Sequence, residues 1–208
     1  MLRLYYAPAT RSIRIKWLLE ELQLEHQTTL KAFNRDGDKG FAQDTPSGKF
    51  PHFEDGHITL NESGAIVQYI LENYGNGRLE PALGSANRAA YLQWLHFSEG
   101  TAASPINNLV WMTVYRDDGD KHEALVGPTR DSVRKILDEV EGTLADSDFI
   151  VGNEFSAADI MIGFTMLSAK FLNLLTSDHP NTGAYLDRLL SRPALRAAIG
   201  YGRSADSK

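Results

Sequence analysis

Residues 48–66 read Gly48-Lys49-Phe50-Pro51-His52-Phe53-Glu54-Asp55-Gly56-His57-Ile58-Thr59-Leu60-Asn61-Glu62-Ser63-Gly64-Ala65-Ile66, and the fold turns on them. Two short apolar runs, Phe50 to Phe53 and Ile58 to Leu60, flank Glu54-Asp55-Gly56, and Asp-Gly between such runs signals a hairpin. Pro51 on spacing alone is a strand-start proline, tolerated because its missing N–H costs nothing there. The sharper reading is a cis Phe50–Pro51 bond that turns the Phe50 N–H and C=O toward a bound peptide, a state taken by about 5–6% of X–Pro bonds. Asn61 is placed to cap a helix over Glu62–Tyr74, in which Ile66, Ile70 and Tyr74 form one stripe. N–H groups and the Ser63 hydroxyl at that helix mouth suit a carboxylate, and Glu62 suits an α-amino group beside it. Taken singly, Glu62 and Ser63 are ordinary first-turn residues.

Upstream, residues 2–6 are apolar and aromatic, and Ala7-Pro8-Ala9 breaks them into a strand and a loop. From Arg11 the period becomes helical through Ile13, Trp17, Leu18 and Leu22, with Arg14, Lys16, Glu20 and Glu21 at polar positions. His26–Leu30 reads as a second strand, completing a βαβ unit with parallel pairing. Residues 34–49 are polar, with one weak helix around Lys39–Gln43. The order βαβ-α-ββα describes an α/β domain over residues 1–78. Gly- and Pro-bearing residues 79–86 form a linker. Residues 87–208 then give an all-α domain: a long aromatic helical stretch over 87–115, an amphipathic helix through Val133, Ile136, Leu137, Val140 and Leu144, and a buried helix over 157–172.

Composition excludes several functions. The 208 residues carry a formal net charge of −6, which argues against a general attraction to nucleic acid or anionic membrane. With 0 cysteines, no protein thiol serves as nucleophile, metal ligand or redox partner. The six histidines form no metal-binding spacing, and neither a Gly-x-Ser-x-Gly elbow nor a phosphate-binding loop occurs. No apolar run reaches the roughly 18 residues of a membrane span. Pro8 breaks the N-terminal apolar run too early for a signal peptide. The expectation is a soluble cytoplasmic protein with no metal.

Together, Gly48-Lys49-Phe50-Pro51 and Leu60-Asn61-Glu62-Ser63-Gly64-Ala65-Ile66 resemble the thioredoxin-like domain of the cytosolic glutathione S-transferases. Leu4-Tyr5-Tyr6-Ala7-Pro8 and Trp17-Leu18-Leu19-Glu20-Glu21-Leu22 are similar to that family's first strand and helix. Phe155-Ser156-Ala157-Ala158-Asp159-Ile160 is similar to the capping motif that starts the central helix of its C-terminal domain, and Leu189-Leu190-Ser191-Arg192-Pro193-Ala194 resembles its late helix-turn-helix. The resemblance implies a glutathione S-transferase that needs no cofactor beyond glutathione itself as co-substrate. It implies that Phe50, before Pro51, pairs with the cysteinyl backbone and that Glu62 and Ser63 hold the γ-glutamyl end. Arg11 is a candidate to steer the anionic tripeptide, and Lys49 to pair with its glycyl carboxylate.

Such an enzyme must favour the thiolate of the bound tripeptide. Lowering a thiol pKa by about two units takes roughly 2.7 kcal/mol. A hydroxyl donating to a charged acceptor supplies about 1.5–3 kcal/mol, and a helix N-terminus adds about 0.3–1 kcal/mol. One hydroxyl at the start of the first helix therefore suffices. In the loop Ala7-Pro8-Ala9-Thr10-Arg11-Ser12, Thr10 stands where the family's serine-type and cysteine-type members carry Ser or Cys. Ser12, Tyr5, Tyr6 and backbone N–H groups alone remain alternatives. The resemblance further implies a hydrophobic electrophile, or an organic hydroperoxide, against Trp111, Met112, Tyr115 and Phe164 or Phe171, and a homodimer. The rival is a catalytically weak glutathione-binding scaffold of the same fold, since fold alone never guarantees turnover.

Overall fold

The computed structural model describes residues 1–31, 48–116 and 118–202, and the weak helix expected around Lys39–Gln43 lies outside them. Four strands, β1 (Leu2–Tyr6), β2 (His26–Leu30), β3 (His52–Asp55) and β4 (Ile58–Leu60), form one sheet in the order β2-β1-β3-β4. β1 and β2 run parallel across the helix α1 (Ser12–Glu21), whereas β3 pairs antiparallel with β1 and with β4. Along β1 the side chains alternate: Leu2, Leu4 and Tyr6 are buried, and Arg3 and Tyr5 are partly exposed on the opposite face. The hairpin turn sits one residue later than the sequence suggests. Asp55 still pairs with Ile58, and Gly56 opens the turn at φ +61°, a conformation glycine takes without a Cβ penalty.

The helix after β4, α2 (Ser63–Ile70), continues as a wider π-turn over Leu71–Gly75. Glu62, not Asn61, occupies its N-cap. Asn61 instead lends its Oδ1 to His52 Nδ1 at 3.0 Å, which ties the loop before α2 to β3.

The chain divides into two compact units. The first comprises Met1–Leu79 together with the residues from Leu190 onward, and the second is Glu80–Leu189. The sequence groups every residue after 87 with the helical part, yet the last helix, α8 (Pro193–Gly200), packs on α1 of the first unit. The reasons are specific. Arg192 clasps both carboxylate oxygens of Glu21 at 2.6 and 2.8 Å, and Tyr6 donates its phenol proton to the Ala198 carbonyl at 2.8 Å. Leu195 and Ala198 are buried beneath them. Covered from two sides, α1 buries every residue from Ser12 to Leu19. Arg14 and Lys16, which the helical period puts at solvent positions, are therefore interior.

In the second unit the helical stretch expected over 87–115 runs unbroken from Arg88 to Tyr115 as α3 (Arg88–Phe97) and α4 (Ala103–Val110), with π-turns at Ser98–Ala102 and Trp111–Tyr115. α5 (Glu123–Thr143), α6 (Ala157–Phe171) and α7 (Pro180–Ser191) follow. α6 is buried over most of its length, and Ser156 and Asp159 form the capping box at its start. The Asp159 carboxylate takes hydrogen bonds from Ile150 N, Ser156 N, Ser156 Oγ and the Tyr185 phenol, at 2.8–3.2 Å. Burial pushes this carboxyl up from the ordinary value, and the four donors oppose that. Because all four partners are donors, Asp159→Asn sets an amide N–H against one of them. The expected cost is about 2–4 kcal/mol of unfolding free energy, measurable by urea denaturation.

Asp55 plays a comparable part in the first unit. Its Oδ2 accepts from Tyr69 at 2.9 Å and from Tyr74, and its Oδ1 lies 3.8 Å from the Met1 amine. The Tyr74 hydrogen bond, chiefly, holds the Asp55 carboxyl below the usual range, and that bond, with burial, pushes the Tyr74 phenol up to about 12. The Asp55 contribution is present above about pH 4 and is lost as pH falls through its lowered folded value. The Tyr74 contribution is present below about pH 10 and is lost as pH rises toward 12. Asp55→Asn should cost about 1–3 kcal/mol at neutral pH and flatten both limbs of the stability–pH curve. Equal slopes in the two proteins would contradict this account.

Candidate functional site

The antiparallel register sets Tyr5 opposite His52, so the end of β1 runs alongside Pro51. The Phe50–Pro51 peptide is cis, with both side chains buried, and the loop 7–11 leaves β1 beside it. In that loop Ala9 takes φ +58°, uncommon for a residue with a Cβ, and turns the chain into α1.

Two hydroxyls stand at the start of α1. Ser12 is fully buried and knits the loop to its own first peptide: its Oγ accepts from Ala7 N at 3.1 Å and donates to Ala7 O at 2.9 Å. Thr10 is half-buried; its Oγ1 donates to Ala7 O at 2.7 Å and lies 2.6 Å from Ser12 Oγ. Either hydroxyl can be the donor in the Thr10–Ser12 pair. When Ser12 donates to Thr10, the Thr10 proton lies with Ala7 O. Arg11 is the N-cap residue of α1, half-buried, and Lys49 is exposed just before Phe50.

The two tyrosines lie elsewhere. Tyr6 is buried with its proton committed to Ala198 O, and its ring meets Tyr201 edge-on at 5.4 Å. Tyr5, on the other face, donates to Glu54 Oε1 at 3.1 Å and packs on His52.

At the second helix mouth Glu62 is exposed and strained, with φ +67° and ψ 111°, outside the regions a side-chain-bearing residue ordinarily takes. Ser63 follows at 1% exposure, with its Oγ accepting from Arg14 Nη1 at 3.0 Å. That contact joins the first turns of α1 and α2 directly. The sequence missed Arg14 and His52 as site-supporting residues. A charged residue amid the apolar period of α1 was the available signal for the first, and none was available for the second.

The remaining expected residues belong to the second unit. Trp111 is 52% exposed and touches Tyr115, one turn on, edge-to-face at 5.9 Å. Met112, Tyr115 and Phe164 are half-buried, and Phe171 is 71% exposed. Trp111, Met112 and Tyr115 share one π-turn, whereas Phe164 sits on α6. Among the described residues no group of three or more acidic, His or Cys side chains is placed to hold a metal ion.

Strain at Glu62 has a direct test. Glycine at an exposed helix position usually costs about 1 kcal/mol. Glu62→Gly should instead leave the unfolding free energy unchanged or raise it by up to about 1 kcal/mol, because the strained backbone is relieved. An ordinary loss in chemical denaturation would count against strain here.

Residues 1–72 match the family described as "Glutathione S-transferase, N-terminal domain", and residues 103–193 match "Glutathione S-transferase, C-terminal domain". Glutathione S-transferase 3 of Schizosaccharomyces pombe is 28% identical, over 95% of this chain and 86% of that protein. A crystal structure of a glutathione S-transferase from Actinobacillus pleuropneumoniae superposes with a TM-score of 0.79 at 29% identity, covering 95% of this chain and 91% of the other. A sphingomonad glutathione S-transferase complexed with glutathione superposes with a TM-score of 0.77 at 26% identity, covering 95% and 96%.

Proposed function

Since the chain belongs to the cytosolic glutathione S-transferase family, and is a glutathione transferase, we propose that Thr10 stabilises the thiolate of bound glutathione for attack on a small hydrophobic electrophile. The observation that carries this is the Thr10–Ser12 hydroxyl pair, 2.6 Å apart at the mouth of α1. Ser12 takes the Ala7 N–H; when glutathione binds, the Ser12 proton turns from Ala7 O to Thr10 Oγ1, and Thr10 exchanges its own 2.7 Å bond to Ala7 O for one to sulfur. Each donor in such a chain polarises the next. The N-terminal dipole of α1 favours the same negative charge. The Tyr6 proton is held by Ala198 O in the core and that of Tyr5 by Glu54, whereas Thr10 has only the carbonyl of its own loop to release, which favours the loop hydroxyl over either phenol.

Around the sulfur the reading is as follows. Phe50 meets the cysteinyl backbone, Lys49 the glycyl carboxylate, Glu62 the α-amino group and Ser63 the α-carboxylate, while Arg11 steers the anionic peptide inward. Trp111, Met112 and Tyr115 offer apolar surface to the electrophile, with Phe164 as a further contact. Such surface selects weakly among apolar groups. An organic hydroperoxide is a second acceptor for the same thiolate. The reading includes a homodimer acting in detoxification in the cytoplasm, in keeping with the family resemblance. Among the described residues no helix is long and apolar enough to cross a membrane.

Three measurements test the assignment: glutathione binding by calorimetry, ultraviolet absorbance of the bound thiolate, and turnover with 1-chloro-2,4-dinitrobenzene and cumene hydroperoxide. Thr10→Ala should lose the thiolate band at neutral pH and about 10–100-fold in rate, the equivalent of one hydroxyl donated to a charged acceptor. Thr10→Ser should restore both. Ser12→Ala should lower the rate less and lower stability as well, because it also unties Ala7. An unchanged band and rate in Thr10→Ala would remove Thr10 from the role. Binding with no turnover on a broad electrophile panel would remove the electrophile.

A further inference from the structure

His52 opens β3 and is buried. A buried imidazole needs partners for its ring nitrogens, and here they lie on two different segments. Nδ1 is 3.0 Å from Asn61 Oδ1, across the hairpin, and Nε2 is 3.7 Å from Glu54 Oε1. With the Asn61 oxygen as acceptor, Nδ1 carries the proton and donates. The ring is also held from the neighbouring strand. It packs against Tyr5 at 5.2 Å, while Tyr5 and Arg3 donate to Glu54 at 3.1 and 3.2 Å. The imidazole is thus the fixed member of the pair, and the loop at Asn61 is the part it restrains.

Asn61 leads directly into Glu62, whose φ of +67° and ψ of 111° cost free energy in a residue with a Cβ. Such a conformation persists only where its surroundings hold it. On the far side the anchor is the first helical hydrogen bond, from Ile66 N to Glu62 O at 3.0 Å. On the near side stands the His52–Asn61 bond. His52 also follows Phe50-Pro51 directly in sequence. One residue is therefore joined by its backbone to one half of the proposed cradle and by its side chain to the other.

We infer that His52 is a positioning residue for glutathione capture: its bond to Asn61 holds the Glu62 turn at a set distance from the Phe50 backbone, so that both meet one peptide at once. His52 acts through Asn61 rather than on the ligand. The inference rests on the reading of Phe50 and Glu62 as two contacts of a single glutathione. Without the bond, ordering the turn falls to the ligand, and capture weakens. The thiolate end keeps its own support, since Ser12 ties the loop before α1 to Ala7.

The test uses calorimetry and steady-state kinetics, with glutathione varied at saturating 1-chloro-2,4-dinitrobenzene. It compares the wild type with His52→Phe, His52→Asn, Asn61→Ala and the His52→Phe/Asn61→Ala double variant. His52→Phe keeps a ring against Tyr5 and removes the donor. It should raise KM and Kd for glutathione about 3–10-fold, the size of one neutral hydrogen bond, with kcat unchanged. His52→Asn puts an amide N–H where Nδ1 stood and should recover most of the wild-type affinity. The double variant should be no weaker than the poorer single variant by more than about 2-fold, because the two side chains act through one bond.

A fall in stability with KM, Kd and kcat all as in the wild type would make the pair merely structural and overturn the inference. Additive losses, or a loss confined to kcat, would overturn it too. Should His52→Phe not fold, Asn61→Ala breaks the same bond from the loop. A raised Kd there with kcat kept supports the inference, and a native Kd overturns it. Wild-type protein that binds no glutathione, or a native Kd in Glu62→Ala, would instead refute the reading of the site, and the inference with it.

Discussion

The register that sets Tyr5 opposite His52 is the constraint on which the candidate site depends. A strand alternates faces with a period of two, so a slip of one residue would exchange Leu4 and Tyr6 for Arg3 and Tyr5 in the interior. The buried alternation along β1 fixes the register, and the register fixes which backbone lies beside Pro51. The hairpin then returns the chain through β4 to α2 while α1 leaves from the neighbouring strand end. Two helix mouths thereby open near one strand end, and Arg14 joins them.

The polar groups of the site are held in pairs. Ser12 stands behind Thr10, Arg14 behind Ser63, and His52 behind Asn61. A hydroxyl turning freely in water would lose rotational freedom on meeting a ligand. A hydroxyl already held by a buried partner has given up much of that freedom on folding. Glu62 is the exception, since it is set by backbone: its φ of +67° is tolerated because Ile66 N–H bonds its carbonyl at 3.0 Å and the following helix is buried. Strain of this kind persists where the surrounding structure over-determines it.

Much of this was legible in the sequence, and what was not shares one cause. The four strands, the βαβ crossover, the hairpin and the capping box at Ser156 and Asp159 follow from local period, turn chemistry and spacing. The cis Phe50–Pro51 bond is legible, and Thr10 and Ser63 stand out as candidates, because each belongs to a short contiguous motif. Arg14 and Lys16 were read as solvent-facing because amphipathic period assigns charged residues to the open side of a helix. The open side of α1 is closed by α8, nearly the whole chain away in sequence. Likewise Asn61 has the chemistry of an N-cap, yet His52 claims its side chain through a contact across the hairpin. Local pattern predicts what a segment prefers, and it carries no sign of the distant partner that overrules the preference.

The same distant partner bears on which oxygen meets the thiol. A phenol on the first strand is a plausible donor only if its proton is available, and α8 takes that of Tyr6 through the Ala198 carbonyl. Tyr201 adds to the clasp: its ring meets Tyr6, its hydroxyl donates to Thr28 O at 3.0 Å, and Lys16 Nζ lies 4.9 Å from its centroid. Lys16 in turn donates to Glu20 at 2.7 Å, and Arg192 pins Glu21 beside it. Freeing Tyr6 would therefore mean undoing a set of contacts that also buries α1, at a cost far above that of one hydrogen bond. A loop hydroxyl carries no such debt to the core. It can turn toward sulfur by exchanging one short contact for another, and on that physical ground the proposed role falls to Thr10.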